Sequence, residues 1–251
     1  VRPAFGVRAN GVTLLAPQAQ AADFTSSAGS DDWDDAAAWT AGSGFPAAGD
    51  SVQIEHDRSL DGPEAFGTSA TTSTWSLGNI NLGGNTLTFD DGAGAATITF
   101  TKDGLLLDGQ NMAGSTFVNE GANTITHATT GDLFVRNQTR FDNDGTYDFN
   151  SASSSAIISI ESSGAFDNSG TVRTASGGIS VFIATSSATE LFTNESGGLV
   201  EADTGTLTFT ARVTDNGGTF RGINGGDLNF TPDVDSTTSA STRPLALVTK
   251  P

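Results

Sequence analysis

The chain contains no cysteine. Neither a disulfide framework nor a thiolate metal site is therefore available to it. Lysine is nearly missing too, with Lys102 and Lys250 alone, and the basic residues number 11 against 29 acids. A net charge of −18 repels polyanions, which argues against nucleic acid or an anionic membrane surface as a partner and favours divalent cations and saline surroundings. No apolar run is long enough to span a bilayer, so no transmembrane segment is expected. Helix signals are almost absent: Asp35-Ala36-Ala37-Ala38-Trp39 is the one short helix-like run, and Gly, Thr and β-branched residues dominate elsewhere.

What the chain does have is a repeated phrase. Phe117-Val118-Asn119-Glu120-Gly121 is followed by Phe141-Asp142-Asn143-Asp144-Gly145, by Phe166-Asp167-Asn168-Ser169-Gly170 and by Phe192-Thr193-Asn194-Glu195-Ser196-Gly197. A degenerate copy, Val213-Thr214-Asp215-Asn216-Gly217-Gly218, closes the series, and the Asn-to-Asn steps are 24, 25, 26 and 22 residues. Self-similarity at such a period is the mark of a solenoid. Each period reads as two strand signals, one crossing the Phe-x-Asn motif and one plain alternation. The alternating set gives a second register through residues 134, 158, 182, 209 and 230, with steps of 24, 24, 27 and 21.

A physical reason attaches to each residue type. Parallel coils lie about 4.8 Å apart, so like positions stack in columns. Phe117, Phe141, Phe166 and Phe192 form a buried aromatic ladder, each ring contributing roughly 1.5–3 kcal/mol of transfer free energy plus a smaller stacking term. Asn119, Asn143, Asn168 and Asn194 form an amide ladder at a bend, where Asn tolerates a left-handed backbone. Gly121, Gly145, Gly170 and Gly197 supply positive φ or close backbone approach. The competing reading of Asn-x-Gly as a hairpin turn does not account for the long period.

These features divide the chain. Residues 1–22 read as an extended segment with Phe5, Val7, Val12, Leu14 and Leu15 among Gly, Pro and Ala. Ala19-Gln20-Ala21 has the small-residue pattern of a processing site, yet no basic region with a long apolar core precedes it, so the segment is read as mature chain. Residues 23–73 carry Trp33, Trp39 and a strand signal through Asp50-Ser51-Val52-Gln53-Ile54, and read as an N-terminal cap plus first coil. Residues 74–232 are the coils, and residues 233–251 a Ser/Thr-rich linker with an apolar tail at Leu245, Leu247 and Val248. The expected class is all-β, a single-stranded parallel β-helix with extended ends.

The Trp pair followed by Pro46-Ala47-Ala48-Gly49-Asp50 resembles the opening of bacterial surface β-helix proteins. Residues 45–232 resemble the right-handed parallel β-helix of bacterial secreted adhesins and autotransporter passenger domains. That resemblance implies a right-handed coil and a secreted, extracellular or cell-surface location.

Parallel β-helices also host pectin lyases and polysaccharide hydrolases, whose signatures this chain lacks. The basic residues are scattered, and the Asn-Thr-Asp, Gly-His-Gly and Arg-Ile-Lys signatures of the polysaccharide hydrolases do not occur. His56 and His127 read as ordinary surface residues, and no nucleophile elbow supports a serine hydrolase. A carboxylate pair at Asp142 and Asp167 would suit a glycosidase only if the two share a face. No catalytic residue is assigned. Asp31, Asp32, Asp34 and Asp35 around Trp33 form an oxygen-rich loop that suits Ca²⁺, without EF-hand spacing. Three glycosylation sequons begin at Asn137, Asn194 and Asn229, and such matches arise by chance in a chain rich in Asn and Thr.

The function expected from these readings is structural: a homopolymer, as a subunit of an extracellular filament, sheath or surface layer. The apolar terminal segments would exchange strands between head-to-tail subunits. A monomeric adhesin or glycan-binding β-helix is the alternative, and a polysaccharide-degrading enzyme the third.

Overall fold

The computed structural model describes residues 23–27, 32–40, 44, 51–53, 58–60, 64–66, 72–75, 79–82, 84–89, 97–100, 105–128, 132–150, 156–174, 179–184, 191–210, 212–231 and 234–235. Almost every described element is a strand, and the strands wind into a parallel β-solenoid. Three parallel sheets of eight, eight and seven strands form its walls. The first sheet runs from Arg58–Ser59 to Asp227–Phe230, the second from Glu64–Phe66 to Val234–Asp235, and the third from Thr72–Trp75 to Thr219–Gly222. Each coil contributes one strand to each sheet in turn. Among the described residues no helix is long and apolar enough to cross a membrane.

Three strands per coil corrects the expected two. The signal that begins at each Phe-x-Asn motif is two strands, such as Arg140–Asn143 and Thr146–Phe149, which belong to the second and third sheets. Asn143 ends one strand, and the corner at Asp144-Gly145 turns the chain before the next.

The aromatic column lies in the second sheet. Leu87, Phe117, Phe141, Phe166, Phe192 and Val213 succeed one another in register, and all are buried. Phe117 and Phe141 have ring centroids 4.9 Å apart, Phe141 and Phe166 stack at 4.6 Å with 9° between planes, and Phe166 and Phe192 stack at 5.5 Å. Tyr147, from the third sheet, meets Phe141 and Phe166 edge-on.

Beside it runs the amide column. Nδ2 of Asn119 donates to Oδ1 of Asn143 at 2.7 Å, Asn143 to Asn168 at 2.8 Å, and Asn168 to Asn194 at 2.8 Å. The same nitrogens reach backbone carbonyls of the third sheet at Thr146, Thr171, Leu199 and Thr219. Each amide thus ties its own coil to the one above. Asn194 is followed in register by Asp215, not by Asn216. Asn216 donates instead to the Glu195 carboxylate. At the bottom, Phe89 occupies the register position below Asn119, and the Asn119 Oδ1 has no hydrogen-bond partner.

The ladder asparagines are extended, not left-handed, which corrects the reason given for their presence. Consecutive left-handed pairs without glycine sit at the corner between the first and second sheets: Gln110 and Asn111, Asn137 and Gln138, Ser162 and Ser163. These turns also stack, with Asn111 N–H donating to Asn137 O and Gln138 N–H to Ser162 O. At the Asn corner the glycines serve close approach. A Cβ on Gly170 would lie 2.1 Å from the Gly145 carbonyl, and one on Gly218 2.1 Å from Nδ2 of Asn194. In the coil of Asn194 this place belongs to Gly198, while Gly197 takes a positive φ of 94°. Gly121 is exposed, and Asn123 stands in for the close-packed glycine with its Nδ2 donating to Phe89 O.

The first sheet shifts one residue of the second expected register. Ile158 pairs with Leu133, and Phe134 pairs with Ser159. Leu133 and Val135 are buried, and Phe134 lies half-buried on the outward side. The residues at 158, 182, 209 and 230 do follow one another.

The N-terminal end is closed. Asp23–Ser26 pairs antiparallel with Trp39–Thr40 and parallel with Ser51–Gln53. Trp33 and Trp39 meet edge-on at 5.0 Å, and the Arg58 guanidinium lies 4.7 Å over Trp39. That guanidinium donates to the carbonyls of Ala38 and Ser27. Asp35 caps the short 3-10 helix Ala36–Ala38 by accepting from Ala37 N–H.

Truncating Phe166 to Ala is expected to cost about 3–5 kcal/mol. Asn143→Ala is expected to cost about 1–3 kcal/mol for each amide group left unpaired in the column. Urea unfolding midpoints test both against Thr146→Ala, an outward position. An Asn143→Ala midpoint equal to that of the control would remove the amide column from its role.

Candidate functional site

Side chains that could carry chemistry fall into four places. The first is the outward face of the second sheet. Val118, Asp142, Asp167, Thr193 and Thr214 succeed one another there, so Asp142 and Asp167 do share a face on adjacent coils. Nε of Arg140 lies 2.5 Å from Asp142 Oδ1 and 2.8 Å from Asp167 Oδ2, which places one guanidinium across both carboxylates. Burial raises the pKa of both Asp142 and Asp167, more than Arg140 lowers them. In chemical terms this is a half-shielded acid pair sharing one positive charge. Asp144 accepts from the Ser169 hydroxyl just beyond it.

The second place is the outward face of the third sheet, where charges alternate. Asp148, Arg173, Glu201 and Arg221 follow in register, with Arg173 paired to Asp148 at 3.0 Å and Arg221 paired to Glu201. In each pair a partly exposed guanidinium covers a carboxylate that is itself buried, so the alternation of sign ties each coil to its neighbour in register. Thr97, Thr124, Thr146 and Thr171 stack beside them, half-exposed.

The third place is interior. His127 is 1% exposed, which corrects its reading as a surface residue. It stacks on Phe149 at 5.6 Å, and its Nδ1 shares a 2.8 Å hydrogen bond with the Tyr147 hydroxyl. Burial pushes the Tyr147 pKa well above its ordinary value, so the phenol stays protonated. His127 ends the strand Thr124–His127, whose alternating burial turns Ile125 and His127 inward, a place that alternation in the sequence could have revealed. Of the sequons, Asn194 is closed off by its burial in the amide column. His56 lies outside the described residues.

The fourth place is the C-terminal end of the spine. Phe220, Leu228 and Phe230 lie in register above Val200, Leu207 and Phe209. The lower three are fully buried, whereas the upper three are only partly so. Phe209 and Phe230 stack at 5.1 Å, and Phe220 meets Phe230 edge-on at 5.3 Å. This end carries no Trp cap among the described residues, in contrast to the other.

Of the acidic loop, Asp31 lies outside the described residues; Asp35 is exposed, and Asp32 and Asp34 are half-buried. No group of three or more metal-ligating side chains is gathered among the described residues. Phe5, Val7, Val12, Leu14, Leu15, Leu245, Leu247 and Val248 also lie outside them. Searches against family models, curated proteins and solved structures find no match for this chain, so the functional reading rests on geometry.

The acid pair makes a pH prediction. A carboxyl whose folded pKa is raised stabilises the fold most below its unfolded value, and that contribution is lost as pH rises through the raised value. Asp142→Asn is therefore expected to be as stable as the parent or more so at neutral pH. Its advantage should shrink as pH falls through the carboxylate range. Thermal midpoints across that range check the sign; an advantage that grows toward acid would contradict it.

Proposed function

We propose that the protein is a structural subunit of an extracellular filament, sheath or surface layer, built by head-to-tail stacking of solenoids. The observation that carries this reading is the asymmetry of the two ends. Trp33 and Trp39 seal the N-terminal end, while Phe220, Leu228 and Phe230 leave the spine partly uncovered at the other. Among the described residues nothing lies above the last coil, and a parallel coil left so presents a row of backbone groups that is a template for another chain. One closed end and one open end make a heterologous contact, and such contacts extend into open polymers when the rotation does not close. The acidic surface keeps the sides of neighbouring rods apart, so contact is favoured at the ends.

A second reading, a monomeric cell-surface adhesin of the kind the repeats resemble, is favoured by the stacked Thr97, Thr124, Thr146 and Thr171. Their flat array of hydroxyls is suited to hydrogen-bonding an extended glycan. Oligomeric state separates the two.

Negative-stain imaging of the purified chain is expected to reveal rods that lengthen with concentration. Phe220→Asp combined with Phe230→Asp should give folded monomers, with circular dichroism reporting the fold. Monomers of the parent at every concentration would leave the adhesin reading standing alone.

A further inference from the structure

The outward face of the third sheet changes character halfway up, where the threonine repeat is broken. In one column Thr126 is followed in register by Asp148, Arg173, Glu201 and Arg221. Two residues back along each strand, and so on the same face, stand Thr124, Thr146, Thr171, Leu199 and Thr219. Each carboxylate lies under a guanidinium from the coil above. The acid side chains are 10% exposed, against 44% for Arg173 and 49% for Arg221. The lower pair is also incomplete. Arg173 donates to Asp148 Oδ2 at 3.0 Å, whereas Asp148 Oδ1 is buried with no hydrogen-bond partner. A buried carboxylate oxygen left so is a standing cost, and a hydroxyl donor would relieve it.

The chemistry of the two pairs selects a ligand. In each, the carboxylate accepts and the guanidinium donates, which is what two adjacent sugar hydroxyls require. The four charges of the column sum to zero, and the net charge of −18 on the whole chain repels acidic polysaccharides, so the fit is to a neutral glycan. Spacing selects further. Asp148 and Glu201 are two coils apart in register, about 9.5 Å at the separation of parallel strands. An extended β-1,4-linked hexose chain turns over at each ring and presents the same edge at every second one, at nearly this repeat. Laid along the solenoid axis, it meets both pairs alike, with Thr146, Thr171 and Thr219 at its flank. Neither column holds an aromatic platform among these residues, so affinity has to accumulate from hydrogen bonds repeated along the ligand.

We propose that the third-sheet wall binds a neutral β-1,4-linked glycan along the solenoid axis, with Asp148–Arg173 and Glu201–Arg221 as its two subsites. This rests on the glycan-binding reading of the wall and names its ligand and its subsites. It holds for a rod as for a monomer, since end-to-end stacking leaves the walls free. The exposed guanidiniums meet the sugar first, and Arg173 has room to shift as a hydroxyl enters toward Asp148 Oδ1.

Calorimetric titration of the full chain with oligosaccharides tests this. Cellohexaose, long enough to reach both subsites, is expected to bind at least about tenfold tighter than cellobiose, which reaches one. Maltohexaose, curled by its α-linkages, should bind no better than cellobiose. Asp148→Asn combined with Arg173→Gln neutralises both members of one pair, leaving no buried charge unpaired. That variant should lose the advantage of cellohexaose over cellobiose, with circular dichroism reporting the fold. If it fails to fold, the length dependence in the parent decides. Equal affinity for cellobiose and cellohexaose overturns the proposal. Cellohexaose binding that survives the pair variant but is lost in Thr124→Val/Thr146→Val overturns the charged subsites and leaves the hydroxyl wall as a glycan site. Binding of maltohexaose in preference to cellohexaose overturns the ligand and leaves that wider reading intact. Binding of neither overturns both.

Discussion

Parallel strands offer no hairpin to set their register, so something else must hold each coil on the one below. Here that is the column of Asn119, Asn143, Asn168 and Asn194. All four amides are fully buried; the first three each donate to the next amide and to a third-sheet backbone carbonyl in the next coil, and Asn194, the last, donates to the Thr219 carbonyl. A slip of one residue would turn every side chain to the opposite face and strand the amides without partners. The penalty for misalignment falls on the polar column, while the gain from alignment comes from the Phe column beside it. Close-packed glycines follow as a consequence, because the amides and the corner backbone occupy the space a Cβ would need at Gly170 and Gly218.

An array of this kind is nearly one-dimensional, since each coil touches only its neighbours. Its interior is therefore self-similar and its ends are where chemistry changes. The N-terminal end changes by substitution: aromatic bulk at Trp33 and Trp39, and Arg58 donating to two carbonyls and lying over the face of Trp39. The C-terminal end changes by subtraction. Its inward residues shrink in one third-sheet column from Phe149 through Thr174 and Ala202 to Gly222, in the last described strand of that sheet. Function is best sought where the repeat is broken, and the side walls offer mostly paired charge: Arg140 across Asp142 and Asp167, and the alternating ladder through Arg173 and Glu201.

Much of this was legible in the linear chain because a solenoid writes its columns as periods. Phe117, Phe141, Phe166 and Phe192 could be aligned by eye, and the structure stacks them. The second register was legible with one slip, because Asp132–Arg136 contains Leu133, Phe134 and Val135 in succession and size alone pointed to the ring. Pairing decided for Leu133. His127 was misread for a related reason: polarity suggests surface, but strand alternation put it inward, where Tyr147 supplies a partner for its nitrogen. The stacked left-handed pairs at Asn137-Gln138 and Ser162-Ser163 had no glycine to announce them, so that corner stayed hidden.

The sequence by itself determined the class of fold, the period and the chief contents of the spine, because apolar burial and amide pairing repeat with every coil and so leave a linear trace. Only the tertiary structure decided that three strands make a coil, which residue of each apolar run faces inward, and that the two ends differ. Those properties depend on which strand lies over which, and on what lies above the last one. Local residue type does not encode either.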